Sequence, residues 1–298
     1  MGLASRQTIS ILLFHEDPRS ATRRYRSLPM EPKSSTAVIE SVCTVPSLTV
    51  NFRDLGLKQG DVLLVHSSFR SIGWVNGGAE AVVRALLDVL GEAGTLVVPT
   101  HSSDNSDPAN WACPPVLEEH WQTIRDTMLP YDPRTTCTRG MGVIADTVRA
   151  WPGALRSAHP QTSFAAVGPQ AEVITSEHAL DCALGDRSPL AKLEQLKARI
   201  LLLGVDFDAC TAFHLAESRL SPTKIQSSFA ATVDGGVRQW VTVQDFDYTD
   251  NDFEILGRDL REQRQHDVTV GMVGAAKCTV VSFPTVVAFA QQWFQSHR

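Results

Sequence analysis

Short apolar runs alternate along the chain with stretches whose apolar residues recur at helical spacing. The run Val62-Leu63-Leu64-Val65-His66-Ser67 passes into a polar, Gly-rich turn that ends at Gly78. Ala79, Val82, Val83, Leu86, Leu87 and Leu90 then follow helical spacing, and Gly91 to Gly94 lead into a second apolar run, Thr95 to Thr100. The pattern predicts a βαβ unit over residues 61–100. In such a unit the turn after the first strand presents backbone N–H groups at a helix N-terminus, where the helix dipole favours an anion such as phosphate. Gly73, Gly77 and Gly78 fit neither G-x-G-x-x-G nor the P-loop pattern, so dinucleotides and ATP lose ground. On local features alone, a tight turn that binds nothing is equally open.

Beyond this unit, residues 101–132 are polar and broken by Pro108, Pro114 and Pro115, with Glu118 to Met128 at helical spacing. Long insertions of this kind usually carry function. A short helix is predicted from Ile144 to Trp151, a strand from Ser163 to Gly168 and a helix from Leu190 to Lys197. Arg199 to Val205 is a continuous apolar run suited to a strand covered on both faces. Ala230 to Val243 and Val268 to Ser282 read as strands or hairpins, with Asp234-Gly235-Gly236 as a turn. A last amphipathic helix is predicted from Pro284 to His297. The fold class is therefore α/β: a mixed, largely parallel central sheet flanked by helices, with a β-rich C-terminal part and a long inserted loop region. No internal repeat or low-complexity linker divides the chain, so one continuous two-lobed unit is expected rather than independent domains.

Composition narrows the function. With 298 residues and 43% hydrophobic, the chain can bury a substantial core. A net charge of −6, from 27 basic and 33 acidic side chains, gives no broad attraction to nucleic acid or an anionic membrane, while a cationic small molecule remains compatible. No run of about eighteen apolar residues is present, so no membrane span is predicted. The six cysteines lack C-x-x-C spacing, which points to reduced thiols in a cytoplasmic protein and to no metal site. The early Glu16 and Asp17 argue against a transit peptide.

Two groups of residues carry candidate chemistry. His214 and Glu217 stand three apart on the helix expected after the buried strand, so their side chains project to the same side. A carboxylate beside an imidazole orients it and raises its basicity, which suits a general base. Taken alone, His-x-x-Glu on a helix is more often a surface hydrogen bond. Thr211, one turn earlier, is suited equally to donating to an oxyanion or to capping the helix. The second group is acidic: Asp104, Asp107, Glu118, Glu119, Asp126 and Asp132 lie in a region with one basic residue of the Lys/Arg kind, Arg125. Such a run is usually a solvated face. Neither a G-x-S-x-G elbow, an H-H-x-x-x-D-G pattern nor an H-E-x-x-H pattern occurs.

The segment His66-Ser67-Ser68-x-Arg70-Ser71-Ile72-Gly73-x-Val75-x-Gly77-Gly78 resembles the signature loop of the aminoglycoside 3-N-acetyltransferase family. Tyr131-Asp132-Pro133, Arg139-Gly140-Met141-Gly142, Arg156-Ser157-x-His159-Pro160, Gly185-Asp186-x-Ser188-Pro189-Leu190 and Thr211-x-x-His214-x-Ala216-Glu217 match further family motifs in order. The resemblance runs from about Ser47 to Leu220 and more loosely to the end. It implies a single acetyltransferase unit over 47–298, with a substrate-loop region at 101–142, preceded by a poorly ordered extension at 1–46. It implies acetyl-CoA as co-substrate, held by His66, Ser67, Ser68, Arg70, Ser71, Gly73, Gly77, Gly78 and Thr100. It also implies His214 as base, Glu217 as its orienting partner and Thr211 assisting, with no metal. His159 is expected to organise a loop. Asp104, Asp132, Asp186 and Glu217 are expected to bind the ammonium groups of an aminoglycoside, which is acetylated at its 3-amine by direct transfer in a ternary complex. An acetyltransferase for a different amine, or a CoA-binding protein without catalysis, stays open, as does a homodimer.

Overall fold

An unbroken apolar strand has to be covered on both faces, and the run beginning at Arg199 is. The computed structural model describes residues 39, 41–112, 114–221 and 224–298. Its strands are β1 (Val62–Ser67), β2 (Thr95–Pro99), β3 (Leu155–Arg156), β4 (Phe164–Val167), β5 (Arg199–Leu203), β6 (Ile225–Asp234), β7 (Val237–Phe246), β8 (Val268–Val273) and β9 (Ala276–Ser282). Seven of these form one sheet in the order β3-β4-β2-β1-β5-β9-β8, while β6 and β7 make a separate hairpin. The sheet is parallel at its centre, where β1 pairs with β2 and with β5. It is antiparallel at both flanks.

The helices are α1 (Val45–Asp54), α2 (Gly78–Leu90), α3 (Glu118–Thr127), α4 (Gly142–Arg149), α5 (Ala171–Thr175), α6 (Pro189–Gln195), α7 (Ala212–Glu217), α8 (Phe253–Gln263) and α9 (Phe283–His297). The two-residue period of the strands sorts the core into two layers. Leu63, Val65, Leu201 and Leu203 pack with α1, α2 and α4 on one face. Leu64, Ile200 and Leu202 pack with α6, α7, α8 and α9 on the other. Within β5, Ile200 to Leu203 are all fully buried.

Several boundaries differ from the sequence reading. The expected extension lies outside the described residues as far as Val38. Its last residues belong to the fold, because Thr44 caps α1 in a capping box with Ser47 and Cys43 bridges to Val75. The C-terminal part is β-rich as expected, with β6 and β7 in their own hairpin, while β8 and β9 complete the main sheet and α8 and α9 cover it. Residues 39–298 form one compact unit rather than two lobes. The inserted region does hold a helix, α3, and is tied to the β6–β7 hairpin. Asn105 donates to the Ala231 carbonyl (3.1 Å) and accepts from its N–H (2.8 Å). Tyr131 N–H donates to the same carbonyl (3.0 Å), and Arg238 Nε donates to the Met128 carbonyl (2.8 Å).

Gly204, just after β5, sits where two loops touch. It takes a φ of +69°, and a Cβ there would lie 2.5 Å from the Ser71 Cβ. Both effects oppose any side chain. Gly204→Ala is expected to lose about 1–3 kcal/mol of stability, measured by urea unfolding. An unchanged midpoint would show that the Ser71 loop yields without cost.

Candidate active site

Because β1 and β5 are parallel and in register at Ser67 and Leu203, the segments leaving them emerge side by side. Ligands of open α/β sheets bind in the crevice outside such carboxyl ends. Here the crevice is a cavity of about 360 Å³. His66 and Ser67 come to it from the end of β1, and Pro99 and His101 from the end of β2. Cys210, Thr211 and His214 arrive from the start of α7, and Gly140 and Met141 from the approach to α4.

His214 Nδ1 lies 2.8 Å from Glu217 Oε2. Glu217 is fully buried, and its second oxygen accepts from the Thr249 N–H (2.9 Å) and from the Arg298 guanidinium. The ring of His214 rests against Tyr248 and Phe253, with centroids 5.4 and 4.7 Å away. A neutral His214 that donates Nδ1–H to Glu217 leaves the Nε2 lone pair for a proton. Thr211 makes no side-chain cap, and its Oγ1 is 3.4 Å from His66 Nε2. Of the two roles open to Thr211, the geometry therefore favours a donor beside the cavity.

Burial holds His66 well down, at about 4, with the neighbouring His214 adding to the effect. His101 is lowered further, to about 3, by burial and then by His214, His66, His159 and Arg156. Its Nε2 has no hydrogen-bond partner among the described residues. Cys210 also lines the cavity, and burial pushes its thiol up to about 12. Only a thiolate is a competent nucleophile, so Cys210 is a poor acyl carrier at neutral pH.

With this geometry in place, comparison with known proteins is informative. The family described as aminoglycoside 3-N-acetyltransferase matches residues 64–295. The chain belongs to this family. It is 44% identical over 252 residues to the SPbeta prophage-derived aminoglycoside N(3')-acetyltransferase-like protein YokD of Bacillus subtilis, covering 84% of this chain and 92% of that protein. The YokD crystal structure matches with a TM-score of 0.83, covering 85% of this chain and 94% of that one. Aminoglycoside N(3)-acetyltransferase III of Pseudomonas aeruginosa is 34% identical, with 82% and 91% covered. A structure of AAC-IIIb with CoASH matches with a TM-score of 0.76 at 28% identity, covering 86% of this chain and 98% of that one.

The family motifs divide into those at the cavity and those behind it. His159 Nδ1 accepts from the N–H groups of Gln161 (3.2 Å) and Thr162 (3.1 Å), while its Nε2 lies 3.3 Å from the Leu180 carbonyl. That is a loop-organising arrangement. Arg156 gathers the Thr100 and Thr136 carbonyls under the Tyr131 ring. Ser71 Oγ is 3.0 Å from Ser68 Oγ and 3.1 Å from the Gly204 carbonyl, and Arg70 is exposed beside them.

Other predicted residues fall elsewhere. Thr100 is fully buried and its hydroxyl is taken up by Arg156 and Ser163, which leaves no surface for a cofactor. The N–H groups of Gly73, Asn76 and Gly78 already donate to the carbonyls of Arg70, Cys43 and Val75, so the turn spends them within the protein. Asp104, Asp132 and Asp186 do not line the cavity, and each is paired with an arginine: Arg139, Arg134 and Arg219. The acidic region thus has more cationic company than its own stretch of sequence contains. Asp208 and Asp250, which the sequence reading passed over, do line the cavity. Arg298 and Thr249 were also missed, because nothing in their local sequence points to Glu217.

Four buried imidazoles link this site to acid stability: His66, His101, His159, held at about 4, and His178, held well below its ordinary value, burial being the largest cause in each. Each ordinarily titrates at 6.5, so between that pH and about 4 the unfolded chain binds protons that the native chain refuses. Their contribution is complete above pH 6.5 and is lost as pH falls toward 4, at up to about 1.4 kcal/mol per pH unit for each. The melting temperature is expected to drop steeply across this window, and less steeply in His101→Phe, which has one imidazole fewer. Equal slopes for the two proteins would contradict the assignment.

Proposed function

We propose that the protein acetylates the 3-amino group of an aminoglycoside with acetyl-CoA, in one step within a ternary complex, His214 Nε2 accepting the amine proton. The observation that carries this reading is His214, paired with buried Glu217 at 2.8 Å and lining the same cavity as Ser67 and Thr211. The CoASH-bound relative supports the choice of co-substrate, and the names of the relatives support the acceptor.

The residues present suit such a co-substrate. A second cavity of about 550 Å³ lies beside the first, Val205 lining both, and it is bordered by Ser71, Arg261 and Lys277. Ser67, Ser68, Arg70 and Ser71 would hold the chain of the cofactor, with Lys277 and Arg261 facing its anionic end. Gly73, Gly77 and Gly78 would act by shaping the turn, in which the N–H groups of Gly73, Asn76 and Gly78 are spent. Acetyl-CoA supplies the acetyl group as an activated thioester. Thr211 donates its hydroxyl toward the carbonyl oxygen as charge builds there, and His66, neutral at working pH, keeps that hydroxyl in place. His214 takes the proton that the amine loses as its nitrogen bonds the acetyl carbon; the C–S bond breaks, and the departing CoA thiolate takes up that proton and leaves as the thiol. Glu217 holds the ring and stabilises its protonated form. Cys210, protonated as it is, has no part in covalent transfer. Asp208 and Asp250 receive the remaining ammonium groups of the acceptor.

Thiol release from acetyl-CoA in the presence of sisomicin tests the activity directly. His214→Ala is expected to lower kcat about 100-fold to 10,000-fold while acetyl-CoA still binds in calorimetry, the range for losing a general base. Near-normal turnover in that variant would move the base elsewhere. Asp250→Asn is expected to raise the KM for sisomicin about tenfold, with the KM for acetyl-CoA unchanged. A parallel rise in both would mean that Asp250 shapes the fold instead.

A further inference from the structure

The Glu217 carboxylate has no contact with water, so whatever surrounds it sets its charge and direction. Oε2 faces His214, and Oε1 accepts from the Thr249 N–H and the Arg298 guanidinium. That guanidinium is itself tightly held. Its Nε donates to Asp252 Oδ2 (2.8 Å), its Nη2 donates to the Thr249 carbonyl (3.1 Å), and its plane lies 4.1 Å over the Phe294 ring. We propose that Arg298 is a positioning residue for catalysis, acting through Glu217 to hold the carboxylate ionised with Oε2 directed at His214. The inference rests on the His214–Glu217 pair being the base.

The physical argument is one of compensation. A buried carboxylate facing only an imidazole and one N–H would compete with that imidazole for its proton, because burial favours the neutral acid. A fixed cation on the opposite oxygen removes this competition. Burial on its own would lower the Arg298 pKa, but the hydrogen bonds to Asp252 and Glu217 raise it, so the cation persists at every working pH. Asp252 offsets part of its charge and keeps it from swinging into the neighbouring cavity, about 670 Å³, which Arg219 and Lys224 also line. The other titratable groups facing the pair are His66, His101, Tyr248, Asp208 and Asp250 on the His214 side and Arg219, Lys224 and Asp247 on the Glu217 side. Among the described residues, none of these bonds the Glu217 carboxylate.

Removing the cation has a signed consequence. The proton affinity of the His214–Glu217 pair rises, so the acid limb of kcat, which marks loss of the neutral base, moves to higher pH. Arg298→Ala is expected to lower kcat about tenfold, leave both KM values within about twofold and move the limb up by about one unit. Arg298→Lys should restore most of kcat and the limb. Arg298→Gln keeps a donor but not the charge and should show the shifted limb with a smaller loss of kcat. If Arg298→Ala fails to fold, the Gln and Lys pair carries the test. Variants with the wild-type limb and kcat overturn the proposal, as does a Lys variant no better than Gln. His214→Ala is run alongside: normal turnover there sinks the base assignment, whereas an inactive His214→Ala with unaffected Arg298 variants sinks this inference alone.

Discussion

A carboxylate with no exposure to water is costly, by several kcal/mol if left uncompensated, and the arrangement around Glu217 answers that cost with three donors from three parts of the chain. His214 lies one turn earlier on the same helix. Thr249 comes from the segment after β7, and Arg298 follows α9. None of the three segments can shift without exposing or stranding the charge. α7 is only six residues long and would not be stable alone. It is held by Phe213, Leu215 and Ala216, all fully buried against α9 and the sheet, and by the charge at its end. The fixed position of His214 thus comes from the burial of its partner.

The sheet supplies the complementary constraint. Parallel pairing of β1 with β5 makes Ser67 and Leu203 neighbours, and so brings a loop that begins at residue 67 against one that begins at residue 204. Gly204 lets the two loops touch, with Ser71 bonding across the contact. The Ser67 loop and His214 are far apart in sequence, and a single register unites them.

Much of this architecture was legible beforehand, and the reason is period. The apolar runs at 62–67, 95–99 and 199–203 could only be buried strands, and α2 and α9 carry clear apolar faces. The helix α8 escaped notice because its buried face is only Phe253, Leu256, Gly257 and Leu260, with a glycine where the backbone meets Phe207. At the site, His214 and Glu217 were readable because they are neighbours on one helix. Arg298 was not, since 81 residues separate it from Glu217 and only the fold joins them. The surroundings of Asp104 and Asp186 were not readable for a related reason: local charge counts ignore arginines such as Arg139 and Arg219, which tertiary structure delivers to them.

The inserted region and the β6–β7 hairpin are sewn to each other by Asn105, Tyr131 and Arg238, largely through backbone groups of Ala231 and Met128. The His214–Glu217 pair belongs instead to α7, and Arg298 reaches it from the end of α9. Two parts of the molecule are therefore free to change at different speeds. Backbone-mediated stitching tolerates many side chains, so this part of the molecule can be rewritten by substitution or by changes in loop length. His214, Glu217 and Arg298 take no part in those contacts. Such a division lets one part of the surface change without disturbing the His214–Glu217 pair.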